Sequence, residues 1–512
     1  MRWLVLVLLA LATQGWAQER MERTGFNAPL ASSVFAAALT FMVPRTIEAV
    51  TPPQLVAWGL HGTTALDPAL VVQVRGGALV LELGGKAQYQ RAAPAAATAE
   101  AWAAAAADVF AAAWELSPAL QQAGTEGVIA SFFDEVFNHL DPYSRYIPPV
   151  AADADRARRS GEAGVGLTVA RRGGAVVVSN VNADGPAGEA GVAVGDRIIM
   201  VDGASIRTEP AATVMGMLSG SDGSVVVVAV RGRDGRTRTL QLERAVVPPE
   251  TVFPQSAGDV LTIRIGGFSA DTAQRLAREL DKAFQRRRGA ARSPRGLVLD
   301  LRGNRGGLLR QAVAVADLLL DAGVIAVTEG RNPDASRRWD ATGGDVTNGV
   351  PVVVVVDGRT ASAAEVLAAA LADGSRAVVV GSSTLGKGLV QTVVPLPDGG
   401  ELFVTWSRVL APRGWPIQGL GVLPQVCSSL GQDGMQQQLA SLQQGTLRLQ
   451  AALERHRATR APALAADILE RRTACPASEP REGDMQAARW LLDHPAAYDA
   501  ARLKAAHPIA DR

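Results

Sequence analysis

Two residues in this chain have chemistry that their surroundings do not account for. Ser362 stands at the mouth of a strand-to-helix turn, in Asp357-Gly-Arg-Thr-Ala-Ser362-Ala-Ala-Glu365. Lys387 stands between Gly386 and Gly388, in a chain that uses arginine for almost all of its positive charge; lysine occurs only at positions 86, 282, 387 and 504. A lysine can lose its proton when buried, whereas an arginine effectively cannot. A serine and a lysine able to become neutral make a nucleophile and a general base. Taken singly, each has a plainer reading: Ser362 as a helix cap and Lys387 as a loop charge.

The elements that must position this pair are legible around it. Val352–Val356 is an unbroken β-branched run bounded by turn residues, which predicts a buried strand. Asp357-Gly358-Arg359 is a turn, and Ser362 to Glu365 has the spacing of a capping box ahead of a helix over Ala363–Ala372. Ala377–Val380 predicts a second buried strand, and Gly381–Gly388 a loop that delivers Lys387. The same loop fits G-x-x-x-x-G-K of a phosphate-binding loop. Gly388 then lacks the hydroxyl that would meet Mg²⁺, and Leu389–Val394 reads as a strand rather than the helix such a loop feeds, so a nucleotide is disfavoured.

A length of 512 residues accommodates about two to four domains. A net charge of +1 gives no electrostatic case for nucleic acid. Met1-Arg2, the apolar run Trp3–Ala12 and the small residues Gly15 and Ala17 predict a signal peptide over residues 1–17. The run is too short to favour a membrane span. The expectation is an exported, periplasmic protein, with an uncleaved membrane anchor as the alternative. Cys427 and Cys475 could pair in an oxidising compartment and pin the tail to the core, or stay as two buried thiols. His61, His139, His456, His494 and His507 are scattered, without metal-ligand spacing and with none in the 351–391 stretch. No metal and no cofactor is expected.

In chain order, residues 18–115 suggest a hairpin (Val71–Gln73 with Ala78–Leu83) and an alanine-rich helix over Ala95–Ala113, with no function assigned. Residues 116–158 contain an apolar helical stripe over Gly127–Asn138, the rigid segment Leu140-Asp-Pro-Tyr-Ser-Arg-Tyr-Ile-Pro148, and then a small, charged stretch read as a mobile linker over 150–160. Residues 159–246 read as a compact β-rich module. Its Gly164-Val165-Gly166-Leu167 loop and its Gly195-Asp-Arg-Ile-Ile-Met-Val-Asp-Gly203 run resemble a PDZ domain. That resemblance implies capture of a peptide C-terminus by strand addition beside Leu167–Val169, with the loop N–H groups on the carboxylate and Val214 and Leu218 lining an apolar pocket.

Residues 247–430 alternate strand and helix: Val260–Ile265, Ala270–Arg286, then Gly296–Leu301. Asp300-Leu-Arg-Gly-Asn-Arg-Gly306-Gly307 follows, where adjacent glycines allow either a tight turn or close approach to a ligand. Residues 431–512 are predicted helical, with Met435, Leu439, Leu442, Leu449 and Leu453 at helical spacing, and read as a packed or dimerising appendage.

Over residues 120–426 the chain resembles the C-terminal processing peptidases, also called tail-specific proteases. The motifs occur in that family's order: Leu140-Asp-Pro-Tyr-Ser-Arg-Tyr146, the PDZ module, Gly296-Leu-Val-Leu-Asp-Leu-Arg-Gly-Asn-Arg-Gly-Gly307, Thr360-Ala-Ser-Ala-Ala-Glu365, Gly386-Lys-Gly-Leu-Val-Gln-Thr392 and Pro416-Ile-Gln-Gly419 through Pro424. The resemblance implies a multidomain α/β chain, with an α/β (crotonase-like or ClpP-like) protease core, an inserted β-rich PDZ domain, and helical N- and C-terminal segments. It implies a serine endopeptidase acting on C-terminal tails of unfolded or processed proteins, with Ser362 as nucleophile, Lys387 as base and Gln391 orienting the lysine. The N–H of Ala363 at the helix start can face the oxyanion, and a second donor comes from Gly306 or Gly307. Protein or peptide substrates with exposed C-termini are the expected partners, and a homodimer and a regulatory adaptor are further partner expectations. The family pattern also implies that the PDZ domain gates the site. Three positions depart from it: Arg305 replaces a proline, Ala364 a serine and Gln425 an aspartate. Arg305 keeps a second reading open, a non-catalytic PDZ adaptor on a decayed peptidase core.

Overall fold

The computed structural model describes residues 25–160, 162–284 and 293–503. The expected signal peptide lies outside the described residues. The chain forms two compact units, one of residues up to Ala152 with Gln391–Trp406, the other of Asp153–Val390 with Ser407 onward.

The second unit is built on a six-stranded sheet in the order Val252–Ala257, Val260–Ile265, Gly296–Asp300, Val352–Val356, Ala377–Gly381, Val426–Cys427. The first pair is antiparallel and every later pair parallel. Parallel strands joined by crossovers are covered on both faces, and the pleat divides the valines accordingly. Val352, Val354 and Val356 face a cluster that includes Leu276, Val315 and Leu367 from the helices Thr272–Phe284, Leu309–Asp317 and Ala363–Asp373. Val353 and Val355 face Leu439, Leu491 and Tyr498 from the C-terminal helices Gly431–Gln443, Glu482–Asp493 and Pro495–Ala501. Those helices therefore form one layer of the core. The helix Ala363–Asp373 is buried along its whole length, which fixes its N-terminus, and the serine before it, against the sheet.

The same unit carries the β-rich module that resembles a PDZ domain, with sheet order Thr237–Glu243, Val225–Arg231, Arg197–Val201, Ala175–Val181, Leu167–Arg172. Leu167–Arg172 is an edge strand, paired only with Ala175–Val181 among the described residues. A hairpin missed in the sequence, Val324–Glu329 with Arg337–Asp340, also belongs here.

In the first unit, three antiparallel strands, Leu70–Arg75, Ala78–Leu83 and Lys86–Ala92, accompany the helices Ala28–Met42, Pro52–Gly59, Ala99–Leu116 and Pro118–Asn138. Phe35, Phe110, Phe132 and Phe133 form its centre. Arg145–Ile147 pairs with Glu401–Phe403.

The linker expected over 150–160 is instead a helix, Pro149–Ser160. Asp153 with Arg156, and Asp155 with Arg159, stand one turn apart and pair across the helix surface, so charges that read as solvating a loop instead support a helix. Cys427 and Cys475 form a disulfide, which joins the last strand of the sheet to the tail.

Candidate active site

Ser362 sits where Val352–Val356 turns into Ala363–Asp373, with φ 57° and ψ −122°. A residue with a Cβ is strained in that conformation by about 1–3 kcal/mol and holds it only when neighbours over-determine it. Three neighbours do. The Ala361 N–H donates to Asn304 O at 2.9 Å. The buried Asp357 carboxylate accepts from the N–H groups of Gly303 and Thr360. The Ser362 N–H donates to Glu365 Oε2 at 2.7 Å.

Glu365 is fully buried. Besides Ser362, its Oε2 accepts the Lys387 N–H at 2.9 Å, and its Oε1 accepts the Gly386 N–H at 2.6 Å and the Thr384 hydroxyl. Burial pushes its carboxyl above the ordinary carboxylate range, and these donors offset only part of that rise. A buried carboxylate with four donors is satisfied, and it ties the serine turn to the lysine loop. In the sequence Glu365 stands only as a helix-capping position and as the last residue of the Thr360–Glu365 motif, with no tie to Lys387.

Two more bonds grip the glycines beside Lys387. The Gly388 N–H donates to Gln418 Oε1 at 2.9 Å, and Gly386 O accepts from the Gly419 N–H at 2.8 Å. Ser362 and Lys387 are both half-buried.

The glycine pair lies against the serine. A Cβ on Gly306, which has φ +93°, would fall 2.8 Å from Ser362 Cβ and 2.9 Å from Ala363 N. A Cβ on Gly307 would fall 2.3 Å from Phe268 O. The two glycines differ in their donors. The Gly306 N–H is taken by Asn304 Oδ1 at 2.8 Å, while the Gly307 N–H has no acceptor among the described residues. Arg305 is exposed.

Gln391 lies in the first unit, where its Nε2 donates to Thr405 Oγ1 at 3.2 Å. Thr405 Oγ1 in turn donates to Asp141 Oδ1 at 2.6 Å, and the Thr405 N–H donates to Ser144 Oγ at 2.9 Å. Gln425 is buried, and its Oε1 accepts the Val379 N–H at 2.9 Å, so its side chain extends the strand ladder. His456 is a buried structural group with Nε2 3.0 Å from Gly421 O.

In the PDZ module a cavity of about 810 Å³ is lined by Gly164, Val165, Gly166, Leu167, Met215 and Leu218, among others. Val165 O and Gly166 O are held by the N–H groups of Ala187 and Asn182. Val214 is buried in the core of the module rather than lining the cavity, and Met215 stands where Val214 was expected.

Comparison with known proteins agrees with this arrangement. The profile of Peptidase family S41 matches residues 259–427, and that of the PDZ domain residues 161–243. A carboxy-terminal-processing protease of Bartonella bacilliformis is 34% identical, over 56% of this chain and 66% of the relative. A chloroplastic C-terminal processing peptidase of Tetradesmus obliquus is 37% identical, over 56% of this chain and 64% of the relative. For a carboxyl-terminal-processing protease of Picosynechococcus the identity is 33%, over 56% of this chain and 69% of the relative. The first two matches span slightly less than two thirds of the relatives' own length. A PDZ module joined to an S41 core is thus the class that fold and site define. The chain belongs to the carboxyl-terminal-processing protease family.

Proposed function

We propose that this chain is an exported, periplasmic serine endopeptidase that binds the C-terminal tails of unfolded or processed proteins in its PDZ domain and hydrolyses peptide bonds with Ser362 and Lys387. The domain reading places the PDZ module at 159–246 and the peptidase core, of crotonase-like type, at 247–430. The observation that carries the reading is the shared carboxylate. Glu365 holds the backbones of both residues of the pair, beside a glycine that leaves no room for a side chain.

In this mechanism Ser362 Oγ attacks the scissile carbonyl while the neutral Lys387 amine takes its proton. The negative charge that develops on the carbonyl oxygen is met by the N–H of Ala363, at the positive end of its helix, and by the N–H of Gly307, which has no acceptor among the described residues. Asn304 occupies the Gly306 N–H, which favours Gly307 of the two. The Lys387 ammonium then protonates the leaving amine, and water, activated by the same amine, releases the acyl group. The orienting role expected of Gln391 is part of this proposal. Tail capture uses the open edge of Leu167–Arg172, where an extended peptide can add as a further strand, and the cavity beside Met215 and Leu218 takes its last side chain.

The test is degradation of an unstructured protein with an apolar C-terminal tail, at pH 7–9, by wild type, Ser362→Ala and Lys387→Ala. Cleavage by wild type and none by either folded variant is the expected result. Full activity in Lys387→Ala would overturn the mechanism. Tail binding without cleavage by wild type would favour an adaptor.

A further inference from the structure

Arg472 ends the helix Ala465–Arg472 in the C-terminal region, which no catalytic motif reaches. Its guanidinium donates to three carbonyls: Nη2 to Thr384 O at 2.8 Å, and Nη1 to Leu420 O at 2.9 Å and Gly419 O at 3.2 Å. These carbonyls belong to the two segments that hold Lys387. Thr384 precedes the lysine in its own loop. Gly419 gives its N–H to Gly386 O, and its neighbour Gln418 accepts the Gly388 N–H.

The path then runs on to the serine. Thr384 is fully buried, and its hydroxyl donates to Glu365 Oε1 while accepting the Val422 N–H at 2.8 Å. Arg472 and Glu365 thus approach Thr384 from its carbonyl and its hydroxyl. Burial pushes the pKa of the guanidinium below its usual range, and the charge of Glu365 offsets part of that. The chain leaves room for this contact at Gly421, φ +68°, where a Cβ would fall 2.8 Å from Thr384 O and 2.9 Å from Arg472 Nη1.

We infer that Arg472 is a positioning residue for catalysis, a fork that sets the lysine loop against the Glu365 carboxylate from outside the catalytic motifs. This rests on the peptidase reading given above. A planar guanidinium suits the task because it can serve carbonyls on two segments at once, which an ammonium on a flexible stem does poorly. The helix that carries Arg472 is anchored independently of it. Ile468 packs within 3.2 Å of a Cβ placed on Gly419, Cys475 is bonded to Cys427, and Ser478 donates to Ser382 Oγ and accepts from the Gly358 N–H. Losing the guanidinium therefore frees the loop without releasing the helix.

The test compares full-length wild type, Arg472→Met and Arg472→Lys. The readouts are turnover of an unstructured tail-bearing protein across pH, the rate of Ser362 labelling by a fluorophosphonate probe, and amide hydrogen exchange of residues 384–388. In Arg472→Met, kcat falls about tenfold or more while KM stays within about twofold, the pH midpoint of kcat moves, and exchange at 384–388 speeds up. Arg472→Lys recovers only part of kcat. Wild-type kcat and pH midpoint in the folded fraction of either variant overturn the inference, as does unchanged exchange at 384–388. Exchange reads the loop without any turnover, so an inactive wild type with a loosened loop in Arg472→Met overturns the peptidase reading and with it the catalytic role of Arg472, whereas an active wild type with unchanged exchange in Arg472→Met overturns this inference alone.

Discussion

Ser362 and Lys387 give their backbone N–H groups to one and the same atom, Glu365 Oε2, at 2.7 and 2.9 Å. The backbones of the proposed nucleophile and base are thereby placed by a shared acceptor. Catalytic groups must be held to within about 0.5 Å of their productive geometry, and a single buried oxygen is a stiffer constraint than two separate loops could supply.

Glu365→Gln tests that constraint. The amide keeps shape and one acceptor, but its NH₂ must then face either the pair Ser362 N–H and Lys387 N–H or the Gly386 N–H. Donor meets donor in both orientations. The expected result is a fall in kcat of about a hundredfold, or about 2.7 kcal/mol, in a protein that still folds. Activity within about threefold of wild type would show that the carboxylate does not set the pair.

The glycine beside the serine offers a second test. In Gly306→Ala the new methyl has no place to go, since Ser362 Cβ, Ala361 O and Ala363 N all lie within 2.9 Å of it. Labelling of Ser362 by a fluorophosphonate should drop by about a hundredfold or more. Arg305→Ala changes an exposed side chain and should stay within about twofold of wild type. Similar losses in both variants would mean that the loop responds to any change and that the close approach at Gly306 has no special part.

In the PDZ module, adjacent residues of one helix are expected to separate binding from stability. Val214 is fully buried, so Val214→Ala should cost about 2 kcal/mol of stability. Met215 lines the cavity, so Met215→Glu should weaken binding of an apolar-tailed peptide by about tenfold with little change in melting. Fluorescence titration with the peptide and thermal unfolding of the same samples distinguish them. Weakened binding in Val214→Ala at unchanged melting would mean that the helix presents the other residue to the peptide.

Much of this was readable in the chain because local pattern and tertiary role coincide. The run Val352–Val356 is a buried strand by composition alone, and a lysine among arginines is conspicuous. What escaped reading is long-range. Glu365 looks like a helix cap because its helix-start bond to Ser362 is local, while its three other partners lie in the loop that carries Lys387. The choice between Gly306 and Gly307 depends on where the Asn304 side chain points. Val214 and Met215 differ by one step of helix phase, which sequence periodicity does not settle on a helix as short as Ala211–Leu218. Arg337–Asp340 lacks an apolar alternation to announce it as a strand. The Cys427–Cys475 pairing requires knowing that the tail returns to the sheet.

The return of the tail also sets a pH dependence. His456 is buried, its ring 4.8 Å from that of Trp415 and its Nε2 within bonding distance of Gly421 O. Burial, with help from the charges of Arg472, Arg457 and Arg471, pushes its pKa down to about 3 from 6.5. The neutral ring donates to the carbonyl. Below pH 6.5 the unfolded chain takes up a proton that the folded protein refuses until near pH 3. The stability tied to His456 is therefore complete above pH 6.5 and declines as the pH falls toward 3, by up to about 1.4 kcal/mol per pH unit. His456→Gln keeps an N–H donor and removes the titration. Denaturant unfolding followed by tryptophan fluorescence between pH 4 and 7 should give a shallower pH slope in the variant. Equal slopes would show that His456 is protonated in the folded protein as readily as in the unfolded chain, and that the tail does not seal it against the core.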